Sequence, residues 1–512
     1  MYTIYNIYVL AAFGTIGGGL FGFDISSMSA WIGTETYMDY FNHPNENLQG
    51  GITASMSAGS WIGALAAGFL SDHFGRKKTL MLASLIWIIG SVISCSAQNV
   101  GHLIAGRVVN GFCVGITSSQ TPVYLAELAP KNIRGRVVGI QQWAIEWGIL
   151  IMYFISYGCS FIKGPSGFRL SWGLQAVPGL ILFVSLFFFP ESPRWLASKD
   201  RWEETLDVLA HLHAGGNHND PAVVAEYEEV REAQAIAAQA ANATWMGLFG
   251  KTMWKRTTVG VFAQVWQQML GGNVMMYYIV YVFQMAGLTG NVNLVSSSIQ
   301  YIIFLLTTVV TLALIDRIGR RPLFIYGGIL MGILNFLVAG LMGGYGHSMP
   351  EVDGNKNIVW QVTGAPAKGI IACTYLFVAV YGFTWAPCTW IYVSEIFPLQ
   401  YRAKGVGLAT SANWLFNFAL AYFVPPAFKN IIWRTYIIFG VFCFCGVIHA
   451  FFMFPETCGK ALEEIDLLFD EGIPAWKSSN LTSKLDERIH EIEAKNLHGA
   501  EATEIERANE KI

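Results

Sequence analysis

Apolar residues run in continuous blocks of about twenty, the length a helix needs to cross a bilayer, with short polar stretches between them. The blocks begin near Tyr8, Gly51, Thr79, His102, Val137 and Trp172, and again near Thr257, Leu294, Leu323, Gly369, Gly405 and Trp433. Strands of a membrane barrel alternate apolar and polar positions; these blocks do not, which excludes a barrel. The pattern predicts twelve spanning helices in two sets of six. It divides the chain into a first half over 1–190, a polar cytosolic linker over 191–256, a second half over 257–455 and a tail over 456–512. Helical periodicity in the linker predicts helices from Trp202 to Leu212 and from Ala222 to Ala241. A further helix opens the tail at Leu462, ahead of a charged segment.

Composition sharpens this picture. Of 512 residues, 53% are hydrophobic and 13% charged, about half the charged share of a soluble domain. The linker and tail hold 38 of the 67 charged residues. What remains over the other positions is too apolar to make a soluble surface, so the chain is an all-α integral membrane protein. A soluble enzyme, a nucleic-acid binder and a disordered scaffold are excluded. The net charge of −3 gives no global attraction to nucleic acid. The eight cysteines lie mostly inside apolar blocks, with no CxxC pair and no paired histidine spacing. They read as small apolar packers, and no metal or cofactor is expected. No basic region precedes the first apolar block, which continues past Gly22, so no cleavable signal is expected.

Lysine and arginine set the orientation. With both termini inside, the short inner loops hold eleven basic residues, among them Arg76, Lys77, Lys78, Arg134, Arg320, Arg321 and Arg402; the outer loops hold six. Both termini are therefore expected in the cytosol, where the sequons at Asn242 and Asn480 escape glycosylation.

The two halves echo each other. Asp72-His-Phe-Gly75-Arg76 follows the second span, and Asp316-Arg-Ile-Gly319-Arg320 follows the eighth. Tyr124-Leu-Ala-Glu127 precedes Arg134 by the interval at which Tyr392-Val-Ser-Glu395 precedes Arg402, and Pro190-Glu-Ser pairs with Pro455-Glu-Thr. Three matched motifs in one order mean duplication of a six-span unit, an architecture that places substrate near the midplane between halves. The acids and arginines at the inner helix ends (Asp72, Arg76, Glu127, Arg134, Asp316, Arg320, Glu395 and Arg402) are expected to form ion pairs across the seam, holding an inner gate. Helix-end capping is the alternative.

These motifs, with Gly68-Phe-Leu-Ser-Asp72, Pro190-Glu-Ser-Pro-Arg194-Trp-Leu, Gln267-Gln268 ahead of Asn273 and Tyr277-Tyr278, and Glu395-Ile-Phe-Pro398, resemble the sugar porters of the major facilitator superfamily. The fungal monosaccharide transporters are the most similar group, and the resemblance runs from about residue 8 to 470. It implies the twelve-helix major facilitator fold and transport by alternating access.

Polar side chains are costly inside apolar spans unless partnered. Carboxamides both donate and accept, which suits the hydroxyl groups of a neutral sugar or polyol; interhelical glue is the alternative reading. The resemblance implies sugar contacts at Gln142, Gln267, Gln268, Asn273, Trp390 and Asn413. Gln141, Gln264, Gln300 and Asn417 are further polar candidates, and Trp414 could stack on a sugar ring. One departure concerns the eighth span, where the family carries an Asn and this chain has Phe304; another is Ala386-Pro387 in the tenth, where the family has Gly-Pro.

Three charges lie deep within spans: Asp24, Arg107 and Glu146. Each needs a partner. Asp24 and Arg107 match the carboxylate and arginine of proton-coupled sugar porters, which implies a proton switch; a static ion pair is the alternative. Glu146 is one helical turn beyond Gln142 and shares its face. It either meets substrate or titrates during transport, or else is a buried carboxyl bonded to a neighbouring helix.

The reading is a plasma-membrane carrier, in contact with lipid, that imports a monosaccharide, a hexose by preference, with a proton. A facilitator, a polyol or secondary-metabolite carrier and a non-transporting nutrient sensor are the alternatives. No catalytic triad, phosphate loop or nucleic-acid motif is present.

Overall fold

Helices account for most of the described residues, as expected where backbone groups must be satisfied without water. The computed structural model describes residues 3–129, 134–239, 244–352, 355–398, 401–458, 460, 465, 468–469 and 472–480. The predicted tail helix from Leu462 and the segment after 480 lie largely outside these. The first half runs through Ile7–Ser29, Glu46–Phe74, Arg76–Cys95, Val100–Leu128, Arg134–Cys159 and Ser166–Phe187. The second runs through residues 254–285 in three pieces, then Gly290–Ile318, Arg320–Tyr345, Ala365–Ile396, Arg402–Asn430 and Arg434–Met453. These are numbered here as the first to the twelfth span.

Among the described residues, nine helical stretches are long and apolar enough to cross a membrane by length and composition. The second, seventh and eleventh spans are the more polar remainder. Their polarity has a structural cause, because these helices meet the opposite half: the second packs on the eleventh, and the Gly272–Tyr277 piece of the seventh packs on the first. The fifth meets the eighth and tenth. The linker forms helices Trp202–Ala214 and Pro221–Gln239, each within two residues of expectation. A small core of Leu209, Ala210 and Val223 joins them.

The repeat is visible atom by atom. Gly75 (φ 94°) and Gly319 (φ 90°) each sit between two spans. Beyond Gly75, Glu191 Oε1 accepts from the backbone N–H groups of Arg76 and Lys77 at 2.9 and 3.1 Å. Beyond Gly319, the Glu456 carboxylate accepts from Arg320 and Arg321 at 2.9 and 3.0 Å. These first N–H groups of a helix have no intrahelical acceptor, and the carboxylates supply one. Tyr124 donates to the carbonyl of Pro190 at 2.6 Å, and Tyr392 to that of Pro455 at 3.1 Å.

Arg76 pairs with Glu127 at 3.0 Å and with Asp72 at 3.5 Å, while Arg320 pairs with Glu395 at 2.8 Å. Ser192 and Thr457 donate to the same two glutamates. The sequence reading sets such ion pairs across the seam; among the described pairs, those of Arg76 with Glu127 and of Arg320 with Glu395 each lie within one half. The reason is local, since each arginine opens a helix that packs beside the helix carrying its glutamate. Arg402 donates to the Phe397 carbonyl at 3.2 Å. The backbones of Arg134 and Asp316 are helical, but their side chains lie outside the described residues.

Candidate functional site

A break in the seventh span creates the site. The helix Trp254–Met269 stops at Gly271 (φ 90°), and Gly272 begins the next short piece. A Cβ on Gly272 would stand 2.3 Å from the Tyr381 ring, so only glycine allows this approach. Gln264, Gln267 and Gln268 therefore occupy the last turns of a helix that ends inside the protein, with Asn273 just past the break.

These side chains converge with those of the eleventh span. Asn413 Nδ2 donates to Gln264 Oε1 at 2.6 Å and to Gln267 Oε1 at 2.8 Å. Gln268 Nε2 donates to Asn413 Oδ1 at 2.8 Å, and Gln268 Oε1 accepts from Asn273 at 2.9 Å and from Asn417 at 3.0 Å. Ser57, from the first half, donates to Asn417 Oδ1, and Tyr277 OH lies 3.4 Å from the same oxygen. Gln267 Nε2 reaches the Ala386 carbonyl at 3.0 Å, beside the second break, between Ala365–Phe383 and Trp385–Ile396. The result is a buried lattice of carboxamides with donors and acceptors in one place. It carries no charge of its own, which suits a neutral polyhydroxyl ligand.

Gln142 comes from the fifth span and donates to Glu146 Oε1 at 3.0 Å. With Gln141, Gln264 and Trp390 it lines a small cavity of about 20 Å³. Thus the structure brings Gln267, Gln268, Asn273 and Asn413 into one lattice and leaves Gln142 and Trp390 on its linker side. Trp414 is fully buried and donates to Ser118 Oγ at 3.1 Å. Gln300 donates to the Met275 carbonyl at 2.9 Å, an interhelical tie. Phe304 stacks on Tyr381 with centroids 5.8 Å apart.

Asp24 and Arg107 meet at 2.9 Å, each about 2% exposed. Arg107 also donates to the Ile52 carbonyl at 3.0 Å. A buried pair of this kind holds three helices together while both partners remain.

The seam is shut at one end and parted at the other. Away from the linker, Lys429 pairs with Glu46 across the halves at 2.7 Å, and Asn357 donates to the Pro44 carbonyl at 3.3 Å. The Lys429 hydrogen bond holds the Glu46 carboxyl below its ordinary range. A Cβ on Gly50 would stand 2.6 Å from the Tyr422 carbonyl, so the second and eleventh spans touch backbone to backbone there. Towards the linker the same two helices part around a cavity of about 430 Å³ lined by Asp72, Arg76, Gln120, Lys404 and Trp245.

Sequence reasoning missed Thr308, which donates to Glu146 Oε1 at 2.6 Å across the seam. A threonine within a span ordinarily bonds its own helix backbone, so nothing in the sequence marked it. Glu191 and Glu456 were read only as parts of repeated motifs, although an acid ahead of a small hydroxyl residue in both halves was a signal of paired helix-end acceptors.

Residues 10–469 match the family described as "Sugar (and other) transporter". The chain is 50% identical to the high-affinity glucose transporter of Kluyveromyces lactis, over 94% of this chain and 88% of that one. It is 47% identical to high-affinity glucose transporter 1 of Candida albicans, over 93% and 88% of the two chains. Among solved structures, the proton:xylose symporter XylE bound to 6-bromo-6-deoxy-D-glucose superposes with a TM-score of 0.78. That match is 27% identical and covers 91% of this chain and all of that one.

Proposed function

Because the chain belongs to the sugar transporter family, we propose that it imports glucose or a closely related hexose across the plasma membrane together with a proton. It is a multi-pass membrane carrier with the major facilitator fold, not an enzyme. The observation that carries the substrate reading is the neutral carboxamide lattice of Gln267, Gln268, Asn273 and Asn413. Each of its hydrogen bonds can be exchanged for one to a sugar hydroxyl at little net cost. The two relatives named above are glucose transporters, and the chain matches them along most of its length.

Basic residues concentrate in the short loops on the linker side, which supports a cytosolic linker and termini. On that orientation the cavity between the second and eleventh spans opens inward. The seventh and tenth spans are broken beside the lattice, the kind of break that frames transporter binding sites. Movement of 1–190 against 257–455 about the lattice then exposes it alternately, with 191–256 joining the halves and 456–512 forming the tail. Asp72, Arg76, Glu127, Arg320 and Glu395 stiffen the inner ends of each half.

Asp24 and Arg107 are the proposed proton switch. A carboxylate beside an arginine keeps its charge, and withdrawal of the arginine makes protonation easier. Arg107 is bonded to the Ile52 carbonyl of the second span, and that span lies on the moving seam. Seam movement therefore alters the Asp24 environment. The test is sugar counterflow in liposomes holding the purified protein. Glucose loaded inside should drive uptake of labelled glucose; no exchange with any hexose refutes the substrate reading.

A further inference from the structure

Glu146 is a carboxyl group in the seam whose partners account for only half of it. Its Oε1 accepts from Gln142 at 3.0 Å and from Thr308 at 2.6 Å. Its Oε2 is buried and has no partner, and no basic side chain pairs with the group among the described residues. A buried acceptor left without a donor costs about 1–3 kcal/mol, and a carboxyl oxygen is among the strongest acceptors available. Such an atom beside a ligand site points to a donor supplied by the ligand.

The surroundings define that site further. The Thr308 hydroxyl also lies 3.2 Å from the Gly382 carbonyl, one of the orphan carbonyls where Ala365–Phe383 ends and an alternative acceptor for its single proton. Its hydroxyl is thereby held between Gly382 and Glu146. Phe304 lies one turn earlier on the same face of the eighth span and stacks on Tyr381. Tyr381 packs against Gly272, beside Asn273 of the carboxamide lattice. One corner of the site thus joins a strong acceptor to an aromatic wall, the pairing that reads a hydroxyl and a C–H face on one ring.

Resting on the transport reading, we propose that Glu146 is a specificity-determining residue that accepts a hydrogen bond from one hydroxyl of the sugar. Thr308 is the positioning residue that holds it, and Phe304 with Tyr381 forms the adjoining apolar wall. Because Glu146 belongs to the first half and Thr308 to the second, sugar captured here bears on the contact between the halves.

The experiment is competition of labelled glucose uptake by the full set of monodeoxy and deoxyfluoro glucoses. Wild type, Glu146→Gln, Thr308→Val and Thr308→Ser are compared in yeast lacking hexose carriers, with surface abundance followed by a fused fluorescent protein. Glu146→Gln keeps the Oε1 acceptor and removes the one at Oε2. At one ring position the wild type should bind both analogues about tenfold more weakly than glucose, the loss of roughly one good hydrogen bond. Glu146→Gln should shrink that gap to about threefold or less, leaving the other positions unchanged. Thr308→Val should shrink it at the same position, and Thr308→Ser should restore it. An unchanged analogue pattern in Glu146→Gln, or a Thr308→Val effect spread evenly over all positions, overturns the inference alone. Absence of uptake of any sugar by surface-expressed wild type overturns the transport reading and this inference with it.

Discussion

Replacing Gly75 by alanine attacks the repeated helix junction directly. Its backbone (φ 94°, ψ 166°) lies in a region open essentially to glycine alone, so a side chain there costs about 1–3 kcal/mol in backbone strain. The added Cβ would also stand 2.5 Å from Glu191 Oε2. That carboxylate cannot simply withdraw, because its Oε1 holds the N–H groups of Arg76, Lys77 and Ser192 at 2.9, 3.1 and 3.0 Å. Giving up one or two of those bonds costs about 1–3 kcal/mol more, for a total of about 2–6 kcal/mol. Gly319→Ala meets the same geometry, with Glu456 Oε2 at 2.6 Å, and should match it in size. Gly68→Ala is the control, since its Cβ would meet nothing within 4 Å and alanine favours a helix by about 1 kcal/mol. The assay heats detergent-solubilised fluorescent fusions and measures the monodisperse fraction remaining. Gly75→Ala and Gly319→Ala should each lower the midpoint by several degrees, while Gly68→Ala should hold or raise it. A Gly75→Ala midpoint equal to that of Gly68→Ala would refute the reasoning.

Asp24→Asn keeps the shape of the buried pair and removes its charge, so sugar counterflow should persist while accumulation against a gradient disappears; accumulation at the wild-type level would contradict the switch. Asn413→Ala strips donors from Gln264 and Gln267 and an acceptor from Gln268, and should weaken glucose binding by at least about tenfold, read as the counterflow half-saturation constant. The Glu46 carboxyl is held below its ordinary range by Lys429. Its contribution to closure is therefore present above about pH 4.3 and lost as pH falls through the lowered value, and Glu46→Gln should remove that component from the accessibility of a cysteine probe at the outer seam. For a pair this exposed the effect stays within about 1 kcal/mol. Burial raises the Glu191 carboxyl above its ordinary range, so its contribution is full below about pH 4.3 and declines as pH rises through the raised value. The melting midpoint of wild type relative to Glu191→Gln should fall over that interval.

The spans were legible because crossing a bilayer forces about twenty apolar residues in a row, and no tertiary contact alters that requirement. The second, seventh and eleventh spans were legible by position though too polar to stand out by hydropathy. The same polarity marked Gln267, Gln268, Asn273 and Asn413 as candidates, since carboxamides inside spans are costly without partners. Spacing also placed Glu146 on the Gln142 face, where a hydrogen bond now joins them. What spacing could not supply was which helix stands opposite. The Arg76 and Arg320 pairs were expected across the seam and lie within the halves, because a motif gives a position along one helix and leaves its neighbour open. Thr308 was invisible for the same reason: its value lies in facing Glu146 from another span.

Uptake of labelled glucose by yeast stripped of its own hexose carriers, with the protein confirmed at the surface and a protonophore added to half the cells, tests the central claim most directly. The account predicts accumulation above the external concentration, abolished by the protonophore. Uptake that stops at equilibrium and ignores the protonophore would contradict proton coupling through Asp24 and Arg107. No uptake of glucose or any other hexose would contradict the carrier itself.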